Sequence, residues 1–314
     1  MSRERIKADL AIIGAGAAGL VTASGAAQLG RKVVLFEAGE MGGDCLNYGC
    51  VPSKAILTAA HKVHAIREAS RYGITVGEPS VDFAKVRETI QTAITTIEPN
   101  DSQERFEGFG VKVVREYARF ENEDTIVSDS VEVKAKRIVV ATGTRAFIPP
   151  INGLSGAPYL TNETIWSLET LPEHLIVLGA GPIGAELGQA FRRLGSDVTI
   201  IEAGVPLARF EPEHAALVTD ALMSDGVSLH AGLSATKVSH DDAGVTVTLS
   251  DGQSVTGSHI LVATGRKPVL DGLNLEAAGV ETDARGIVCD DRLRTSNKRV
   301  LAAGDIAGKG GLTH

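Results

Sequence analysis

The chain has 314 residues, a formal net charge of −8 and 43% hydrophobic residues. It is long enough for two domains of ordinary size, and without a basic run it excludes nucleic acid as a partner. Three cysteines exclude a secreted disulfide scaffold, and 35 glycines against 4% aromatics suit a fold with many tight strand-to-helix turns.

The first predicted element is a strand, Asp9 to Ile13, running into Gly14-Ala15-Gly16-Ala17-Ala18-Gly19. A small-residue helix follows to Gly30, then a strand, Val33 to Phe36, and Glu37. This is the pattern of a dinucleotide-binding unit. The first glycine permits the tight turn, the second lets a pyrophosphate approach the backbone and the third packs helix on strand, while the acid can take ribose hydroxyls. Leu10 to Gly30 carries no charge and follows Arg3, Arg5 and Lys7, so length and flanks alone also fit an export signal or a membrane span. Glycines at 14, 16 and 19 and the second apolar run ending in Glu37 favour the nucleotide unit, with no membrane as partner.

Next comes Gly42-Gly43-Asp44-Cys45-Leu46-Asn47-Tyr48-Gly49-Cys50-Val51-Pro52-Ser53-Lys54. Pro52 suits a first helical turn, and Ile56, Leu57, Ala60, Val63 and Ile66 continue with helical period. Cys50 is therefore expected beside unpaired helix N–H groups, with Lys54 one turn on, both favouring a thiolate. The spacing fits a redox-active pair, two small buried residues or half of a zinc site. Only Cys289 remains as a further thiol, and a structural zinc site needs a second pair of ligands.

A helical stretch, Phe83 to Ile97, leads to a strand-rich, alternating region, Val111 to Val140, closing on Ala141-Thr142-Gly143. Pro149-Pro150-Ile151-Asn152-Gly153 reads as a stiff crossing. The opening pattern then recurs as a strand, Leu175 to Leu178, Gly179-Ala180-Gly181-Pro182-Ile183-Gly184, a helix to Gly195, a strand, Val198 to Ile201, and Glu202. First glycine to acid is 23 positions in both copies, and first glycine to helix-ending glycine is 16 in both. A second strand-rich region, Val227 to Val262, closes on Ala263-Thr264-Gly265, and Gly265-Arg266-Lys267-Pro268 reads as the return. Last comes a strand, Val300 to Ala303, ending on Gly304-Asp305, with the acid where it can meet a cofactor hydroxyl.

The fold class expected is α/β, with two Rossmann-like dinucleotide-binding domains, each a parallel sheet plus an antiparallel β-meander. Residues 1–148 are expected to form the first domain and 149–268 the second, with 269–314 returning to the first. His61 and His64 read as ordinary residues of the cysteine helix.

With these pieces in order, the chain resembles the class I pyridine nucleotide-disulfide oxidoreductases, such as dihydrolipoamide dehydrogenase, mercuric reductase and glutathione reductase. The cysteine segment carries the resemblance, supported by Ala263-Thr264-Gly265-Arg266 and Ala302-Ala303-Gly304-Asp305. The chain departs from the pattern at Asp44, where threonine is usual, at Tyr48 and at Ala146; an acid at 44 would oppose a thiolate beside it. The resemblance implies FAD in the first domain, held by Gly14, Gly16, Gly19, Glu37, Gly43, Thr142, Gly143, Asp305 and Thr313. It implies a nicotinamide cofactor in the second, held by Gly179, Gly181, Gly184, Glu202 and Gly265. Glu202 favours NADH over NADPH, because a 2′-phosphate there would meet a carboxylate. Electrons would pass from NAD(P)H through FAD to a Cys45–Cys50 disulfide. Cys50 would be the sulfur against the flavin and Cys45 the interchange thiol toward an external disulfide, small or protein-borne, or a soft metal ion. Lys54 and Glu186 would pair near the reactive edge. No resident metal is implied.

The resemblance further implies a cytoplasmic homodimer whose C-terminal dimerisation domain carries a His-Glu acid/base pair. That domain lies outside these 314 residues, so the sequence is expected to be a truncated form. A nucleotide-binding module without turnover and a flavin-dependent quinone or dye reductase stay open beside the disulfide reductase.

Overall fold

The computed structural model describes residues 3–242 and 244–309. In chain order its first elements are β1 (Glu4–Ile13), α1 (Ala17–Gln28), β2 (Val33–Phe36), α2 (Gly43–Asn47), α3 (Cys50–Glu68), α4 (Phe83–Asp101) and α5 (Gln103–Gly108). Then follow β3 (Lys112–Val114), β4 (Arg119–Asn122), β5 (Thr125–Val127), β6 (Val131–Val140), β7 (Thr144–Ala146), β8 (Tyr159–Leu160), β9 (His174–Leu178), α6 (Pro182–Leu194) and β10 (Asp197–Glu202). The remainder comprises α7 (Pro212–Ser224), β11 (Ser228–Ala231), β12 (Ala235–Asp241), β13 (Gly244–Leu249), β14 (Ser254–Gly257), β15 (His259–Val262), β16 (Arg266–Pro268), β17 (Thr282–Asp283), β18 (Gly286–Ile287) and β19 (Val300–Ala302).

Two compact units divide these elements, Met1–Asn47 with Ile94–Arg145 and Arg266–His314, and Tyr48–Ala93 with Ala146–Gly265. The first holds a sheet of order β3-β2-β1-β6-β5-β4, with β19 also on β6. β1 is parallel to β2 and to β6. β6 is long enough to take two partners on its other edge: Val133 and Lys134 pair antiparallel with β5, and Ile138 to Val140 pair parallel with β19. The parallel strands are apolar on both faces because both are covered. Ile12, Val33, Leu35 and Val139 meet Leu20 and Ala23 of α1 on one face. Ala11, Ile13, Val34, Phe36, Ile138 and Val140 form the other core with Leu273 and Leu275 of the returning chain. Each fully buried Ile, Leu or Phe contributes roughly 1.5–3 kcal/mol.

The second unit repeats the plan, with a parallel sheet of order β11-β10-β9-β15-β8 and an antiparallel sheet, β12-β13-β14. Leu178, Ile201, Ile260 and Val262 share a core with Val238, Val245 and Val247 of the antiparallel sheet. Parallel sheets with antiparallel additions in both units agree with the α/β class expected from sequence.

The division differs from the expected boundaries by three residues at each crossing, with 146–148 in the second unit and 266–268 in the first, and in one long stretch, because residues 48–93 group with the second unit. The reason is the packing of α3 on α6. Arg67 Nη1 donates to the Arg193 carbonyl at 2.8 Å, and the Phe83 and Phe191 rings lie 6.1 Å apart. Asp225, just past α7, accepts from Arg193 Nε at 2.9 Å and Gln189 Nε2 at 2.7 Å, with His64 Nδ1 at 3.3 Å. His64 thus has a structural partner.

Candidate dinucleotide sites and cysteine segment

The two glycine turns match at their first and third glycines. Gly14 has φ +104° and Gly179 φ +101°, a region costly to any residue with a Cβ, and a Cβ there would lie 2.4 Å from the Ala141 oxygen or 2.5 Å from that of Ala263. The third glycines, 19 and 184, let the helix rest on the turn, since a Cβ would lie 1.9 and 2.0 Å from the carbonyl oxygens of Gly14 and Gly179. Each Ala-Thr-Gly triplet therefore supplies the wall that the first glycine abuts. The second glycines, 16 and 181, are the N-caps of α1 and α6. Beyond Gly181 a Cβ would meet nothing within 4 Å, leaving the helix N–H groups open to an anion.

The acids close the match. Glu37 accepts the Ala15 N–H on Oε2 at 2.6 Å and the Gly39 N–H on Oε1 at 2.7 Å. Glu202 accepts the Ala180 N–H at 2.8 Å and the Gly204 N–H at 2.9 Å. A carboxylate has about four acceptor sites, so two backbone donors fix its orientation and leave two for vicinal hydroxyls of a ribose.

In the first unit the short helix α2 is tied to the same turn. Gly42 N–H donates to the Ala15 carbonyl at 3.0 Å, and a Cβ on Gly43 would lie 2.6 Å from Gly16 Cα. Asn47 Nδ2 donates to the Met41 and Gly43 carbonyls at 3.0 and 2.9 Å, closing the segment on itself. Half-buried Cys45 is thereby carried on a helix anchored at the glycine turn. Thr142 Oγ1 donates to the Val269 carbonyl at 2.9 Å, and space is open above Gly143. Half-buried Asp305 accepts from Thr144 Oγ1 at 2.9 Å, and Thr144 Oγ1 accepts from Arg266 Nε at 2.6 Å.

In the second unit, α3 starts at half-buried Cys50 with Gly49 as N-cap, two residues before Pro52. Lys54 Nζ donates to Glu186 Oε1 of α6. Side-chain exposures of 62% and 25% make this ion pair worth little as stability, so it orients more than it holds. The carbonyl of Tyr48 accepts from Trp166 Nε1 at 3.0 Å. Gly265 is exposed, and its carbonyl accepts the Phe147 N–H at 3.0 Å. Cys289 donates to the Ala307 carbonyl at 3.7 Å, and burial pushes its thiol up. Thr313 lies outside the described residues. Among the described residues no three His, Cys, Asp or Glu side chains gather as a metal site, and no helix is long and apolar enough to cross a membrane.

The model of the family described as "Pyridine nucleotide-disulphide oxidoreductase" matches residues 8–314. The chain belongs to this family. It is 40% identical to a mercuric reductase of Streptomyces lividans over 308 residues, covering 95% of this chain and 65% of that protein. It is 34% identical to a dihydrolipoyl dehydrogenase of Geobacillus stearothermophilus, covering 98% of this chain and 67% of that one. The HOCl-induced flavoprotein disulfide reductase RclA of Escherichia coli, solved as its Cu(II) complex, superposes with a TM-score of 0.86 at 27% identity. That match covers 97% of this chain and 67% of the solved one. The chain thus spans about half to two thirds of the length of its curated relatives.

The cofactors of this family are FAD and NAD(P)H, and the donor sets fit them: each unit offers a glycine turn no Cβ could share, an open helix N-terminus or triplet, and an acid held by backbone N–H groups. Sequence reasoning missed Thr144, Arg266 and Trp166 as members of these networks. Thr144 and Arg266 directly follow the two triplets already singled out, whereas Trp166 gave no local signal.

Proposed function

We propose that the chain carries the electron-transfer machinery of an NADH-dependent flavoprotein that reduces a disulfide or a soft metal ion. In this reading the first unit holds FAD through Gly14, Gly16, Gly19, Glu37, Gly43, Thr142, Gly143 and Asp305. The second holds the nicotinamide cofactor through Gly179, Gly181, Gly184, Glu202 and Gly265. Bound flavin supplies a two-electron relay between reduced pyridine nucleotide and the sulfur pair. The chain's own residues do the rest. Glu37 and Glu202 orient the adenosine riboses, and Glu202 opposes a 2′-phosphate. The first turn of α3 offers N–H groups to the Cys50 sulfur, and Lys54 adds positive charge one turn away. Cys45 acts as the interchange thiol, attacking an external disulfide or binding a soft cation such as mercuric ion. The whole protein works as a cytoplasmic homodimer.

The observation that supports this most is the anchoring of α2, with its cysteine, on the first glycine turn. Anaerobic NADH addition to the purified protein tests it. Flavin bleaching followed by long-wavelength absorbance that vanishes in Cys50→Ser is the expected result. Bleaching unaffected by Cys50→Ser would instead indicate a quinone or dye reductase, and no spectral change a module without turnover.

A further inference from the structure

Asp44 immediately precedes Cys45 on α2, and a carboxylate that near in the chain opposes a reactive sulfur anion. The first unit answers it with Arg266, whose Nη2 lies 3.3 Å from Asp44 Oδ1. The Arg266 side chain is only 16% exposed and Asp44 37%, so the pair is partly withdrawn from solvent screening. The same guanidinium donates to Thr144 twice, Nε to Oγ1 at 2.6 Å and Nη2 to the carbonyl at 2.8 Å. Thr144 Oγ1 passes its own hydrogen to Asp305 at 2.9 Å. One arginine thus joins the acid on the cysteine helix to the acid at the end of β19 through a single hydroxyl.

We propose that Arg266 is a positioning residue that fixes α2 against the Thr144–Asp305 pair and screens the Asp44 carboxylate from the Cys45 sulfur. The planar fork is required, because a lysine could carry the charge but not reach Thr144 and Asp44 together. Asp44 then serves as the grip by which Arg266 sets the reactivity of the neighbouring thiol.

The inference rests on the reading of Cys45 as a reactive thiol, which is tested separately by NADH-driven exposure of thiols in the unsubstituted protein. The test proper measures the rate at which iodoacetamide alkylates Cys45 in the reduced, FAD-loaded full chain at one pH, resolved by peptide mass. Arg266→Met should slow the reaction about fivefold, and adding Asp44→Asn should bring it back to within about twofold of the starting rate. Asp44→Asn alone should accelerate it about threefold at low salt and less at high salt. An unchanged rate in Arg266→Met overturns the proposal. So does a fall that Asp44→Asn leaves in place, which marks a merely structural role. Should Arg266→Met not fold, Asp44→Asn decides alone, and a rate unaffected by that change at either salt concentration overturns the proposal.

Discussion

Glu202 Oε2 accepts the backbone N–H of Ala180 at 2.8 Å, fixing a carboxylate beside the turn of the second unit. In the proposed function, that position would favour NADH over NADPH, whose 2′-phosphate would set two anions together. Glu202→Ala should narrow the NADH-to-NADPH ratio of kcat/KM about tenfold, mostly by raising the KM for NADH. A ratio that does not move removes Glu202 from cofactor choice.

Gly181 and Gly14 should respond to alanine in opposite ways. A Cβ on Gly181 enters open space at an ordinary φ of −76°, so the fold should keep its Tm while the KM for NADH rises at least tenfold. A Cβ on Gly14 would lie 2.4 Å from the Ala141 oxygen, so Gly14→Ala should lower both Tm and flavin content. Thermal unfolding with flavin absorbance, and steady-state kinetics, separate the two outcomes.

Trp166 is the sole tryptophan, and its Nε1 holds the Tyr48 carbonyl between the two cysteines. Trp166→Phe keeps most of the apolar contact but leaves that carbonyl without its indole donor, at a cost of about 1 kcal/mol. Urea unfolding followed by circular dichroism should show a lower midpoint at unchanged slope.

Asp225→Ala should cost about 2–4 kcal/mol, since it strips the carboxylate from Arg193, whose side chain is 13% exposed. Urea midpoints measure the loss, and a change under 0.5 kcal/mol, the range of roughly neutral surface substitutions, would argue against this anchor between α3, α6 and α7.

Glu116 gives a pH signature. Hydroxyls of Ser128 and Ser130 and the Ser130 N–H hold its carboxyl down at about 2. A folded value below the unfolded one means stability present above the ordinary carboxylate range and lost as pH falls toward about 2. Glu116→Gln should flatten the decline between pH 4.5 and pH 2, the unfolded and folded values, in urea titrations.

The repeat was legible because each role of a dinucleotide turn demands a residue type at a fixed distance: Gly14 and Gly179, and Glu37 and Glu202, could be named from spacing alone. Packing partners were not. The period of Ile56, Ala60 and Val63 shows that α3 has an apolar face, but not that α6 will cover it, so 48–93 was expected with the first unit. The five residues of α2 are too few to show a period. The Arg266–Thr144 contact joins positions 122 apart, and nothing local to either residue encodes it.

The divided edge of β6 bears on synthesis. A ribosome delivers every residue of the second unit by Gly265, but the first unit awaits β19, which supplies the strand beside Ile138 to Val140. The unit that contains the amino terminus is therefore the later of the two to be completed, and a nascent chain halted with Gly265 clear of the ribosomal exit tunnel and Val300 not yet out should display a protease-resistant second unit beside an unfinished first.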